Sequence, residues 1–179
     1  MKYDVIYTDP PWTYRSKESL HKTSILNGKE NTHYKTMTKD QLKNMPIKEL
    51  CNKDAMIFMW VVSPMLDDGI ELMKAWGFKY STIAFIWHKK RVNPGHYTMS
   101  ECEICLVGRI GKIPSPRGKR NVRQFLSEAR GAHSVKPSEI RKRIELMFPE
   151  QKKLEMFARQ ASEGWDVFGN EAPNSIIIK

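Results

Sequence analysis

Tyr3-Asp4-Val5-Ile6-Tyr7-Thr8-Asp9-Pro10-Pro11-Trp12 is the stretch that decides the fold. Tyr3 to Tyr7 is a largely apolar run, as expected of a strand covered on both faces. The next residues stop it abruptly. Two consecutive prolines fix φ, supply no N–H, and hold the carbonyl of Pro10 in one orientation. An acid, Asp9, stands before them and an aromatic, Trp12, after them. A proline pair alone suits a rigid turn capping a strand with Trp12 half buried, whereas the acid before it and the aromatic after it favour a site built at a strand end.

The site reading has a definite chemistry. The exocyclic amine of a nucleobase is a poor nucleophile because its lone pair is delocalised into the ring. A catalyst that methylates it must accept hydrogen bonds from its N–H groups and so localise that lone pair. Asp9 offers a carboxylate acceptor and Pro10 a carbonyl. Pro11 stiffens the loop, and Trp12 offers a flat face for a base taken out of its stack.

Working outward, residues 13–35 are polar, rich in Ser, Lys, Asn and Thr, and lack sustained periodicity, which predicts a lid-like loop. Thr38-x-x-Gln41 reads as a capping box opening a short helix that Pro46 ends or closely follows. Ala55 to Val62 is a continuous apolar run and predicts a second buried strand. Ser63-Pro64 predicts a helix start, with Leu66, Ile70 and Met73 on its inner face and Gly77 as its stop. Thr82 to Trp87 predicts a buried strand, 89–100 a basic loop, and Glu101 to Val107 another strand. Pro137 to Phe148 predicts a helix with Ile140, Ile144 and Met147 inward and Arg141, Lys142 and Arg143 mostly outward. Lys153–Phe157 and Trp165–Phe168 predict two last strands. Alternating strands and helices predict an α/β fold around a mostly parallel sheet, in one domain spanning 1–179. Ligands of such sheets bind beyond the carboxyl ends of the strands, where Asp9 and Arg159 are expected.

Composition narrows the class. Thirty Lys and Arg against 20 Asp and Glu give a net charge of +10, which suits a polyanionic partner such as nucleic acid, although solubility alone could explain it. Residues 109–123 carry six cations and no acid. Gly111, Pro114, Pro116 and Gly118 mark that stretch as loop. Lys89, Lys90 and Arg91 in one basic loop, and Arg117, Lys119, Arg120 and Arg123 in the other, are the candidate nucleic-acid contacts. Three cysteines, an odd number, point to a reducing, cytoplasmic compartment rather than a disulfide scaffold. Cys102 and Cys105 have no second pair and read as core residues, with no metal expected. No apolar stretch approaches a membrane span, and the N-terminus enters a strand directly.

Two distant segments complete a pattern. They are His133-Ser134-Val135-Lys136-Pro137, and Leu154 to Arg159 continuing through Gly164-Trp165-Asp166-Val167-Phe168-Gly169-Asn170-Glu171. With Asp9–Trp12 in front of them, the chain resembles the MT-A family of adenine-N(6) methyltransferases in the small form found in bacteria and their viruses. Tyr34-x-Thr36-Met37, Trp76-Gly77-Phe78, Ile86-Trp87 and Cys105-Leu106-Val107-Gly108 extend the resemblance over nearly the whole chain.

The resemblance implies a Rossmann-like methyltransferase sheet in permuted motif order, with S-adenosylmethionine as cofactor. Asp9, Pro10, Pro11 and Trp12 match the family's target-amine loop, and Tyr34 matches a lid aromatic near the target nucleoside. Lys136 matches a lysine near both base and cofactor, and Arg159 an arginine of the cofactor pocket. Asn170 and Glu171 match residues holding the cofactor ribose. Ala161 departs from relatives that carry a histidine there. The zinc-finger and helical extensions of eukaryotic members are absent from this sequence, which points to DNA rather than RNA as substrate. Adenine in RNA, and a catalytically silent nucleic-acid-binding subunit paired with an active homologue, are the alternatives. Asp at the head of the loop, rather than Ser, weighs against cytosine on family grounds, and homodimer formation is compatible with the family.

Overall fold

The computed structural model describes residues 1–13, 36–95, 97–131, 135–169 and 172–178. Among them lie seven strands: β1 (Tyr3–Thr8), β2 (Cys51–Val61), β3 (Lys79–Asn93), β4 (Ser100–Ile110), β5 (Phe125–Ser127), β6 (Lys153–Ala158) and β7 (Asp166–Gly169). Three α-helices accompany them: α1 (Lys39–Lys43), α2 (Leu66–Ala75) and α3 (Ser138–Met147). The strands form one sheet in the order β5-β3-β4-β2-β1-β6-β7. Only β4 runs against the rest, since it pairs antiparallel with both β2 and β3 while the other pairings are parallel. This is the expected α/β architecture, and its strand order is permuted.

Binary pattern explains the layers. Along β2, Met56, Phe58 and Trp60 face one cluster with Ile140, Ile144 and Phe148 of the α3 segment. Ala55, Ile57, Met59 and Val61 alternate with them and face Leu42, Leu72, Met73 and Trp76 on the other side. Each face is covered, so the strand reads as an unbroken apolar run. Burying each large side chain contributes on the order of 1.5–3 kcal/mol. The Trp76 indole N–H donates to the carbonyl of Leu42 at 2.8 Å, tying α2 to α1.

Local signals are carried through at several points. Thr38 and Gln41 form the reciprocal capping box of α1, an arrangement in which the cap alone contributes roughly 1 kcal/mol. Gly77 takes φ +84° just past α2, a conformation that disfavours any side chain. Gly108 is required by proximity instead. A Cβ there would lie 2.8 Å from the Met73 sulfur and 2.9 Å from the Lys79 carbonyl.

Other expectations are corrected. Ser63-Pro64 opens a 3-10 turn, Ser63–Met65, with no side-chain cap, and the α-helix starts at Leu66. Leu72 and Gly69 are buried on α2 together with Met73, whereas Leu66 and Ile70 are only partly so. β3 is much longer than expected and only partly covered, with Phe85, Trp87 and Lys89 its buried members. Its extension takes Lys89, Lys90 and Arg91 out of the loop and into the strand, because the β4 ladder continues to Asn93↔Ser100. Arg141 does not point into solvent: it grips Glu155 with two bonds of 2.8 and 2.9 Å. Arg143 likewise donates to the carbonyls of Arg123 and Phe125. Cys51 and Cys105 are buried and Cys102 half-buried, all as free thiols, and burial pushes the Cys51 thiol up to about 12. Among the described residues no helix is long and apolar enough to cross a membrane.

Candidate active site

Connections from β1 lead to β2 on one side, and those from β6 lead to β7 on the other. The carboxyl ends of β1 and β6 therefore flank a topological switch point, where open parallel sheets leave a crevice. A cavity lies there, enclosing about 800 Å³ including its open mouth, and lined among others by Asp9, Pro10, Pro11, Trp12, Lys136 and Arg159. Residues from three distant parts of the sequence thus share one wall.

The loop after β1 is pinned rather than free. The Trp12 N–H donates to the Pro10 carbonyl at 2.9 Å, and the Met37 N–H to the Pro11 carbonyl at 2.8 Å. Thr13 returns two bonds to the Met37 carbonyl, from its amide at 3.2 Å and its hydroxyl at 3.0 Å. The Pro10 carbonyl, expected to be uncontested, therefore already accepts one N–H. It keeps a second lone pair. Trp12 is 5% exposed and belongs to the apolar core. Its indole is part of the cavity wall, not a freestanding platform. Trp60 and Trp87 line the same cavity, edge to face at 6.3 Å.

The charges form a chain. Lys136 Nζ lies 2.6 Å from Asp9 Oδ2 and 3.3 Å from Glu103 Oε2, and Lys89 Nζ lies 3.4 Å from Glu103 Oε1. The ammonium of Lys136 also stands 5.8 Å from the centre of the Trp60 ring, within cation–π range. Burial raises the Asp9 carboxyl above the ordinary carboxylate value. Lys136 and, less strongly, Arg159 oppose that rise. Burial pulls the Lys136 ammonium down, but Asp9 and Glu103 outweigh it and leave its pKa raised. Lys89, only 7% exposed and engaged with Glu103, is part of this chain.

The remaining candidates are placed as follows. Arg159 follows β6 directly and reaches the cavity. Phe157 beside it adopts φ +59° where the β6–β7 register shifts, an outlier for a bulky residue and a kind of strain that clusters at ligand sites. Tyr34, Asn170 and Glu171, and the lid assigned to 13–35 beyond Thr13, lie outside the described residues. Arg117, Lys119 and Arg120 lie away from the cavity. Gly118 and Lys119 donate to the carbonyls of Met147 and Leu146 at the far end of α3, and Arg117 stacks on Phe148 at 5.5 Å. Arg123 precedes β5 and is exposed.

Sequence reasoning missed Glu103, Arg130, Trp60, Trp87 and Phe157, all of which line the cavity. Glu103 carried a usable signal, as an acid inside an otherwise apolar strand segment is rarely there without a partner. Arg130 carried none. It reaches the cavity because β5 pairs in parallel with Ile86–His88, and the Trp87 indole N–H fixes the Glu128 carbonyl at 2.9 Å.

Comparisons with known proteins identify the family. The sequence profile of the MT-A70 family matches residues 3–171. The chain is similar to the Type II methyltransferase M.MunI of Mycoplasma sp, at 41% identity over 98% of this chain and 80% of that protein. It is also similar to the N(6)-adenosine-methyltransferase MT-A70-like of Arabidopsis thaliana, at 30% identity over 94% of the chain and 24% of that protein. To the N(6)-adenosine-methyltransferase catalytic subunit METTL3 of Homo sapiens it is 27% identical, over 95% of the chain and 28% of that protein. It thus spans most of the mycoplasmal relative and about a quarter of the plant and human ones. With the family match covering residues 3–171 and the mycoplasmal relative 41% identical over 98% of the chain, the chain belongs to the MT-A70 family and is a methyltransferase.

Proposed function

We propose that this protein methylates the N(6) amine of adenine in DNA, with S-adenosylmethionine as the methyl donor. The observation that carries the reading is the Asp9–Lys136 pair at 2.6 Å in the cavity at the switch point. It joins the loop after β1 to the segment before α3 and favours the charged form of the carboxylate where a base amine would be received.

The residues present fit this donor. A crevice at the carboxyl ends of β1 and β6, walled by Phe157 and the cations Lys136 and Arg159, suits an adenosyl amino acid with a carboxylate. Arg159 and Lys136 would hold the carboxylate end, and Asn170 and Glu171 the ribose. When bound, S-adenosylmethionine supplies an electrophilic methyl group. Asp9 and the free lone pair of the Pro10 carbonyl accept the two amine N–H bonds, which turns the nitrogen lone pair out of conjugation. Lys136, by pairing with Asp9 Oδ2, keeps the carboxylate charged and fixes its orientation. The tryptophans of the wall exclude water and offer faces for the purine ring. The amine proton leaves to solvent or to Asp9. Positioning of amine and methyl in line supplies much of the rate.

DNA is favoured over RNA because identity is higher to the Type II methyltransferase than to the N(6)-adenosine-methyltransferases, 41% against 27–30%. The test is incubation with methyl-labelled S-adenosylmethionine and matched duplex DNA, single-stranded DNA and RNA, followed by mass spectrometry of the nucleosides. N(6)-methyladenine is expected in DNA, and is lost with Asp9→Ala. Label confined to RNA overturns the choice of DNA. Label absent from adenine in every substrate overturns the reading itself.

A further inference from the structure

The β3–β4 hairpin runs on past the cavity. Trp87 and Glu103, opposite each other in its ladder, line the cavity, and Ser100 stands three residues farther out, about 10 Å along the strand. Between His88↔Cys102 and Asn93↔Ser100, four residues of β3 face one of β4. Lys90 takes φ +52° inside this bulge, a backbone state that costs on the order of 1–3 kcal/mol for a residue with a side chain. Bulges re-aim the strand that carries them.

The aimed tip is unusual in what it exposes. Tyr97 is fully accessible at 101%, Met99 is 59% exposed and Val92 46%. Lys90 and Arg91, also exposed, flank them. An aromatic and two aliphatic side chains in water contribute nothing to the core of this fold. Their setting among cations and beside the cavity mouth gives them one coherent use. A base delivered into the cavity leaves a gap in its duplex about 3.4 Å thick, which is the thickness of an aromatic ring. Apolar wedges beside cations are the chemistry by which proteins enter and hold open a base stack.

We propose that the hairpin tip is a wedge for duplex DNA, with Tyr97 filling the gap vacated by the target adenine. Met99 and Val92 pack against the adjoining step, and Lys90 and Arg91 bind the flanking phosphates. This rests on the reading of the cavity as an adenine site in nucleic acid. It adds that the substrate is taken as a duplex and that the hairpin opens it.

The experiment uses amplified bacterial DNA free of N(6)-methyladenine, either intact or heat-denatured, with the full-length protein. For Tyr97→Ala, the ratio of the initial methylation rate on intact DNA to that on denatured DNA is expected to fall at least ten-fold relative to wild type. For Tyr97→Trp, which keeps a flat ring, that ratio stays within about three-fold of wild type. Tyr97 is fully exposed and outside the core, so folding is not at issue. An unchanged ratio in Tyr97→Ala overturns the wedge while leaving the adenine reading intact. So does a wild-type enzyme that methylates denatured DNA alone. If Tyr97→Ala converts a dimer to a monomer in sedimentation without moving the ratio, the tip seats a second copy and the wedge is likewise overturned. Absence of adenine methylation by the wild-type protein on both forms removes the adenine reading itself.

Discussion

The two edges of the sheet hold their charges differently. At the carboxyl edge, Asp9, Lys136, Glu103 and Lys89 are paired in a continuous chain inside a cavity. At the opposite edge, Lys119 and Arg120 stand on the loop that packs against the end of α3, exposed to solvent. The basic loop is the more conspicuous of the two in the sequence, with six cations in 15 residues. Yet β4 runs against its neighbours and so delivers that loop's start to the edge away from the cavity. Density of charge along a chain says how attractive a protein is to a polyanion. The strand direction decides which of those charges can meet a base in the cavity.

Removing the head of the paired chain is expected to have the largest effect. Asp9→Ala should lower kcat/KM by about 10²–10³-fold, the usual cost of deleting a preorganised polar group at a reacting centre, measured by methyl incorporation into DNA. Lys136→Gln should cost about 10–100-fold and should also displace the pH profile. The sign follows from the pair. Ionised Asp9 is the charged acceptor for one amine N–H while the Pro10 carbonyl takes the other, so the rate falls as pH drops through the Asp9 pKa, which burial raises above the ordinary carboxylate value. Lys136 opposes that rise, so its loss should move the acid limb to still higher pH. An acid limb that stays put would separate Asp9 from the titration.

Glu103→Gln tests the far link of the chain. It keeps shape but removes the charge that Lys136 and Lys89 share, and a fall of about ten-fold in kcat/KM is expected, as charged hydrogen bonds contribute roughly 1.5–3 kcal/mol. The same substitution should lower the alkaline limit of stability. Glu103 helps to raise the Lys136 pKa, and the stability drawn from that shift is complete below the unfolded lysine value and lost as pH rises through the folded one. Thermal melts from about pH 9 to 12, spanning the unfolded lysine value and the range above it, would read it. The smallest effect contrasts the two edges directly. Replacing Lys90 and Arg91 together with Ala should reduce the slope of log K against log salt for duplex DNA by about 1.8. Replacing Lys119 and Arg120 should leave it unchanged. Equal losses from both pairs would erase the difference between the edges.

Much of this was legible without coordinates. The strand before Asp9 and the prolines that end it carry the site's first wall, and the capping box at Thr38 and the stop at Gly77 fall where local chemistry places them. Lys136 and Arg159 were legible through family resemblance, and the cavity brings both to Asp9. Glu103 and Arg130 were not, for different reasons. Glu103 sits between two residues read as core, and only its register opposite Trp87 turns it into the cavity. Arg130 depends on a three-residue strand too short to show periodicity. Trp12 was legible as an aromatic at the site, but its burial follows from packing with residues far away in sequence. The extension of β3 was hidden because its outer half is polar and pairs only with β4, which protects it through backbone bonds rather than burial.

By itself, the sequence determined the alternation of strands and helices, the rigid acid-proline-proline-aromatic loop and the excess of positive charge, since these depend on residue type and near neighbours. The tertiary structure alone decided which charges are paired, which cations face the cavity, and that an exposed tyrosine stands beyond its mouth. Those follow from strand order and direction, which are set by how two apolar faces are buried at once and not by any one segment.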